Sequence, residues 1–164
     1  MSEQNPTSLP MYEGWENYQQ LLLQAIAPLT LEHLALRPGA RLRSIGENAA
    51  HIVGARAGWV YYVLRRDDES LLPLTEWQGR PDQPAHSAAE IIEGLRVTWK
   101  VIEAALKEWS PTDLEELVHD TDEQGNDYTV TRRWVIWHLI EHDTHHGGEL
   151  SFSLGISGLP GIAL

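Results

Sequence analysis

The chemistry in this chain concentrates in one run, Trp137-His138-Leu139-Ile140-Glu141-His142-Asp143-Thr144-His145-His146-Gly147-Gly148-Glu149, which holds four of the eight histidines. On a helix, residues four apart lie one turn apart on the same face. His138, His142 and His146 then form an imidazole stripe, with His145 beside it. Imidazole suits borderline divalent metals such as zinc, nickel and iron, so the run predicts a helix-borne metal site. Two histidines make a weak site, because a catalytic zinc usually takes three protein ligands and leaves one position for water or substrate. The rest of the chain must supply the third. The pairs His142/His146 and His138/His142 both have ligand spacing.

Other nucleophile chemistry is thin. The chain has no cysteine, hence no disulfide framework, no Cys-based zinc knuckle and no thiol nucleophile. It has no Gly-rich phosphate loop and no G-x-S-x-G elbow. A cysteine-free composition fits the reducing cytoplasm, which is the expected location.

The elements that position the histidines read as helical. A first helix runs from about Met11 to Ala27, ended by Pro28, with Tyr12, Trp15, Leu22 and Ile26 in a rough 3.6 period. Thr30-Leu31-Glu32-His33 caps a short turn before Pro38-Gly39. Ser44-Ile45-Gly46-Glu47 matches a capping box and opens a second helix to about Arg65. A polar, Pro-rich crossing follows from Asp67 to His86. Ser87-Ala88-Ala89-Glu90 is another capping box and starts a third helix, ending near Trp109. Ser110-Pro111 begins a short helix. Leu117-Val118-His119 and Tyr128-Thr129-Val130 flank Gly125 as a small hairpin or extended loop. The fourth helix starts near Thr131, carries the histidine run and ends around Leu154-Gly155. The tail from Ile156 is irregular. Four long helices predict an all-α four-helix bundle, with a small hairpin or loop before the last helix.

Among the remaining histidines, His33, His86 and His119 fall in turns or loops. His51 lies in the second helix and shares a face with Asn48, Ala55, Gly58 and Tyr62, whose small members allow close approach of another helix. It is the best partner for the stripe. Gly54 and Gly58 are read as sites of close helix contact.

Length and charge set the frame. At 164 residues, residues 1–164 read as a single domain able to bury a core without a structural metal. A net charge of −12 argues against nucleic acid, which is held mainly by cationic contacts to phosphate, and against an acidic membrane surface. Met1 to Gln20 lacks the pattern of a signal peptide, and no apolar run of about 18 residues predicts a membrane span.

The segments Glu47-Asn48-Ala49-Ala50-His51-Ile52-Val53-Gly54-Ala55 and His138 to Leu150 resemble the DinB/YfiT-like superfamily. The likeness follows the helix order of the whole chain, and its specific motifs cover the second and fourth helices. It implies an up-down-down-up bundle. It also implies that His51, His142 and His146 bind a divalent metal, zinc or nickel. The activity it implies is a thiol-dependent S-transferase or a metal-activated hydrolase on a small-molecule substrate, with a low-molecular-weight thiol as co-substrate and a homodimer as assembly. Gly147 stands where many members carry Arg.

Around that set, His138 reads as a packing residue and His145 as a pocket residue. Glu149 is either an outer carboxylate orienting a ligand imidazole or an exposed helix-end residue. Asn48 could bond a water or substrate. Glu141 and Asp143 read as a solvated face, and Trp59 and Tyr62 either line the pocket or, the better reading, pack in the core. Trp77 and Trp109 are candidate surface tryptophans at an interface. Two other functions fit the histidines: a non-enzymatic ligand- or partner-binding bundle with a structural metal, and a histidine pH sensor.

Overall fold

The computed structural model describes residues 9–122 and 124–164. The first eight residues of the polar N-terminal stretch, and Glu123 of the hairpin loop, lie outside the described residues. The helices are α1 (Glu13–Ile26), α2 (Leu31–Ala35), α3 (Ile45–Gly58), α4 (Leu72–Thr75), α5 (Ala88–Glu108) and α6 (Arg132–Ile156). A hairpin of β1 (Leu117–Thr121) and β2 (Asp127–Thr131) precedes α6. It is antiparallel, with Leu117 opposite Thr131 and Thr121 opposite Asp127.

The four long helices form the bundle. α3 packs on both α5 and α6, and α1 packs on α5. Their starts obey local chemistry. Ser44 Oγ accepts from Glu47 N at 3.1 Å while Glu47 accepts from Ser44 N at 2.9 Å. Ser87 and Glu90 repeat the exchange at α5, and Thr131 caps α6 by accepting from Trp134 N at 3.1 Å. Each cap contributes about 1 kcal/mol by satisfying amides that the helix leaves free.

Helix α3 runs on into a π-helical turn, Trp59–Val63. The chain then leaves the helix at Arg65, whose φ is 53°. The Pro-rich crossing is more ordered than its composition suggests. A 3-10 turn at Glu69–Leu71 leads into α4, because Leu71 and Leu74 pack into the core. Residues 77–79 lie directly on α3. A Cβ on Gly54 would stand 1.8 Å from Trp77 O, and one on Gly79 would stand 2.2 Å from Glu47 O. Gly54 thus serves close contact with this loop, whereas Gly58 meets nothing within 4 Å and faces open space.

The apolar core has two halves. Ala57, Val60, Trp99, Ile102, Leu106, Val135 and Leu139 belong to one. Leu22, Ile26, Ile45, Ile52, Leu95, Leu150 and Leu154 belong to the other. Polar residues stand between them. Asp143 and Arg56 are both fully buried, which corrects the reading of Asp143 as solvated. Arg56 Nη2 donates to Asp143 Oδ2 at 2.7 Å and Nε donates to both carboxylate oxygens at 3.0 Å. Trp15 Nε1 donates to Asp143 Oδ2 at 2.6 Å, and Arg56 Nη1 donates to Gln19 Oε1 at 2.6 Å. Gln19 in turn donates to Leu95 O at 3.0 Å. One network therefore ties all four long helices together.

Tryptophans occupy different places from those first read. Trp109 is buried, and Trp77 stacks on His86 with ring centroids 3.7 Å apart. Neither marks a free surface. Among the described residues, no helix is long and apolar enough to cross a membrane.

Candidate metal centre

Helices α3 and α6 bring His51 against His142 and His146. His51 Nε2 and His142 Nε2 are 3.2 Å apart, and one ligand atom from each of the three rings lies within 4.8 Å of the others. Two nitrogens bound tetrahedrally to one zinc, at about 2.0–2.1 Å each, stand about 3.3 Å apart. The His51–His142 contact therefore already has ligand spacing.

Hydrogen bonding sets two of the tautomers. His51 Nδ1 lies 3.2 Å from Gln78 O, which can only accept, so Nδ1 carries the proton and Nε2 presents a lone pair. His146 Nδ1 lies 2.7 Å from a Glu149 carboxylate oxygen, which leaves its Nε2 bare in the same way. Metal-binding histidines are oriented by partners of this kind. His142 Nδ1 is buried without a partner among the described residues.

The rings are held neutral. Burial pushes His51 down to about 4, reinforced by the charges of Arg43 and His146. Burial also pushes His142 down to about 3, with His146 and His51 adding to it. His146 is lowered as well, burial outweighing the pull of Glu149. Metal binding needs neutral imidazole, so the fold supplies the required form near neutral pH.

The other candidates separate from this centre. His138 turns away, stacking nearly parallel on Trp134 at 5.2 Å and meeting Trp59 at a tilt with centroids 4.7 Å apart. It remains a packing residue, and the His138/His142 pair does not form the cluster. His145 is exposed, 3.4 Å from Glu149, and Glu141 is exposed. Asn48 is 3% exposed; its Nδ2 donates to His146 O at 2.9 Å and its Oδ1 has no partner. His33 caps α2, and His119 pairs with Thr129 across the hairpin. Gly147 makes room for α1, since a Cβ there would lie 2.0 Å from the Tyr18 hydroxyl.

Two cavities adjoin the triad. One, of about 570 Å³, opens between α3, α6 and the hairpin, and its lining includes His51, His142, Trp59, Tyr62, Tyr128 and Trp134. Trp59 and Tyr62 thus wall a cleft rather than only pack. The other, of about 430 Å³, is lined by Arg37, Arg41, Arg43 and Arg80, with Asn48 and Glu149 on its triad side.

Several positioning groups escaped the sequence reading. Gln78 acts through its backbone carbonyl, which no side-chain pattern reports. Gly79 has φ 62° and a blocked Cβ position; a Gln-Gly pair in a polar crossing is only a generic turn signal. Arg56 and Asp143 did leave a signal. Asp143 is in phase with Ile136, Leu139, Leu150 and Leu154, and Arg56 with Ala49, Ile52 and Val60, so opposite charges occupy apolar stripes of two helices.

Comparison with known proteins bears on fold and family. A profile described as the DinB family matches residues 1–161. A DinB-like protein from Bacillus cereus ATCC 10987 has a similar structure, with a TM-score of 0.71 at 21% identity over 98% of this chain and 99% of that one. A DinB-like protein from Bacillus subtilis gives 0.59 at 15% identity, covering 90% and 91%. At these identities the likeness is one of fold. Among curated proteins there is no significant match.

Proposed function

The chain belongs to the DinB family, and from that premise we propose that His51, His142 and His146 hold one divalent ion, zinc or nickel, in an enzyme acting on a small molecule. The observation that carries this reading is the convergence of three neutral imidazoles, two with tautomers set by outer partners, at the wall of an open cleft. When bound, such an ion supplies Lewis acidity and lowers the pKa of a coordinated thiol or water.

The chain's own residues do the rest. Gln78 O and Glu149 orient His51 and His146. The aromatic walls at Trp59, Tyr62 and Trp134 offer flat faces to an apolar or aromatic substrate. No cysteine is present, so a thiol nucleophile must come from outside as a low-molecular-weight thiol, giving S-transfer; water as nucleophile gives hydrolysis. A structural ion in a non-enzymatic bundle is the competing reading. The Arg56–Asp143 network already ties the helices, which favours a chemical role for the ion. A homodimer is the proposed assembly, with Trp137, Phe152 and Ile156 as exposed apolar surface on α6.

The test is elemental analysis of protein purified without a polyhistidine tag, paired with a screen of low-molecular-weight thiols against electrophiles and of esters and amides. One equivalent of zinc or nickel is expected, and His51→Ala should abolish it. Protein that binds no ion, or binds it equally without His51, would refute the site. Light scattering on a sizing column tests the dimer.

A further inference from the structure

The chain carries 24 acidic and 12 basic residues, yet four arginines, Arg37, Arg41, Arg43 and Arg80, line the one cavity of about 430 Å³ beside the triad. Two carboxylates share that lining, and both are engaged. Glu47 accepts from Arg37 Nη2 at 2.5 Å and from Ser44 N at 2.9 Å. Glu149 faces the Nδ1 of His146 at 2.7 Å. Arg37 also donates to Leu42 O, and Arg43 Nε donates to Gly79 O at 3.2 Å. The guanidinium groups of Arg41 and Arg80 have no hydrogen-bond or ion-pair partner among the described residues. Two arginines are thus fixed by the protein and two are free.

The cavity communicates with the triad through two residues. Asn48 bonds the backbone of His146 and keeps an unpartnered, buried Oδ1. Glu149 bonds the His146 ring. Arg43 bonds Gly79 O, one residue on from the Gln78 carbonyl that holds the His51 ring. A ligand seated here would lie beside the centre rather than remote from it.

We infer that this cavity is an anion subsite of the same centre, taking the carboxylate or phosphate of a small molecule. Guanidinium matches both oxyanions through paired N–H donors. In a chain whose overall charge repels anions, a lining of four arginines against two engaged carboxylates is a local cationic surplus that draws one in. This assignment rests on the proposed enzymatic reading for its purpose, and the test separates the two.

The experiment uses tag-free, metal-free full-length protein at low ionic strength, titrated calorimetrically with inorganic phosphate and with succinate. At least one should bind, and the tighter of the two identifies the anionic group. The double variant Arg41→Gln/Arg80→Gln should weaken that binding by about tenfold or more, while zinc stoichiometry and far-ultraviolet circular dichroism stay as in the parent. Failure of both anions to bind, or binding unchanged in the double variant, overturns the subsite. A parent protein that takes up no zinc overturns the enzymatic reading instead, and leaves the anion result to stand or fall by itself.

Discussion

Two polar clusters sit on the same pair of helices and have opposite characters. Arg56 and Asp143 face the interior, and each of their polar side-chain atoms has a partner on α1, α3 or α6. His51 and His142 occupy another face of the same helices, next to two cavities, and the centre keeps unpaired His142 Nδ1 and Asn48 Oδ1. A saturated polar cluster can hold helices in register but has nothing left to offer a ligand. An unsaturated one costs stability and is poised for an outside partner. Asp143 follows His142 directly, so the first cluster sets the rotation of α6 that aims the second.

The largest effect should come from breaking the saturated cluster. Asp143→Ala leaves Arg56 charged and buried without a counterion and should cost about 3–5 kcal/mol in denaturant unfolding. A loss under about 1 kcal/mol would show that the interior pair does not hold the bundle. Gly79→Ala comes next. The left-handed φ and the carbonyl of Glu47 at 2.2 Å from the new Cβ should together cost about 1–3 kcal/mol. The same change should weaken zinc binding, because it shifts Gln78 O; unaltered zinc affinity would disconnect the loop from His51. Glu149→Ala acts only on the unsaturated cluster. Competition with a chelator should show zinc affinity reduced about 10–100-fold with little change in melting temperature.

A separate effect is a pH dependence of the metal-free protein. His51 and His142 are held at about 4 and about 3 in the fold, below the ordinary 6.5. Between those values the unfolded chain binds more protons than the folded one. Stability should therefore fall as pH drops from about 6.5 toward 3 and level off below. Urea titrations at pH 7 and pH 5 measure it, and His142→Ala should flatten the slope. A slope unchanged in that variant would assign the pH dependence to other groups.

Much of this was legible in the chain. The capping boxes at Ser44 and Ser87 and the stop at Pro28 located long-helix ends, because those signals act within a turn of the backbone. Spacing put His138, His142 and His146 on one stripe, and the family resemblance picked out His142 and His146. His51 was singled out by its helix face and by family resemblance together, since contact between α3 and α6 is a tertiary fact. The treatment of Asp143 failed for an instructive reason. Its charge suggested solvent, while its phase with Leu139 and Leu150 pointed inward, and the phase prevailed because Arg56 supplied the countercharge. The order in residues 69–79 was hidden because packing of Leu71 and Leu74, not local propensity, creates it.

Gly79 carries a consequence for how such a protein can change. The same three-residue loop delivers a carbonyl to His51, a carbonyl to Arg43 and, at its end, Arg80 to the cationic cavity. The two chambers therefore share a single hinge pin. A substitution that reshapes one chamber through this loop also disturbs the other, so the chambers are not free to diversify separately by this route. Laboratory evolution toward new substrates should accumulate changes on the hairpin and on Trp59 and Tyr62, where one chamber can be altered alone, and leave Gly79 untouched.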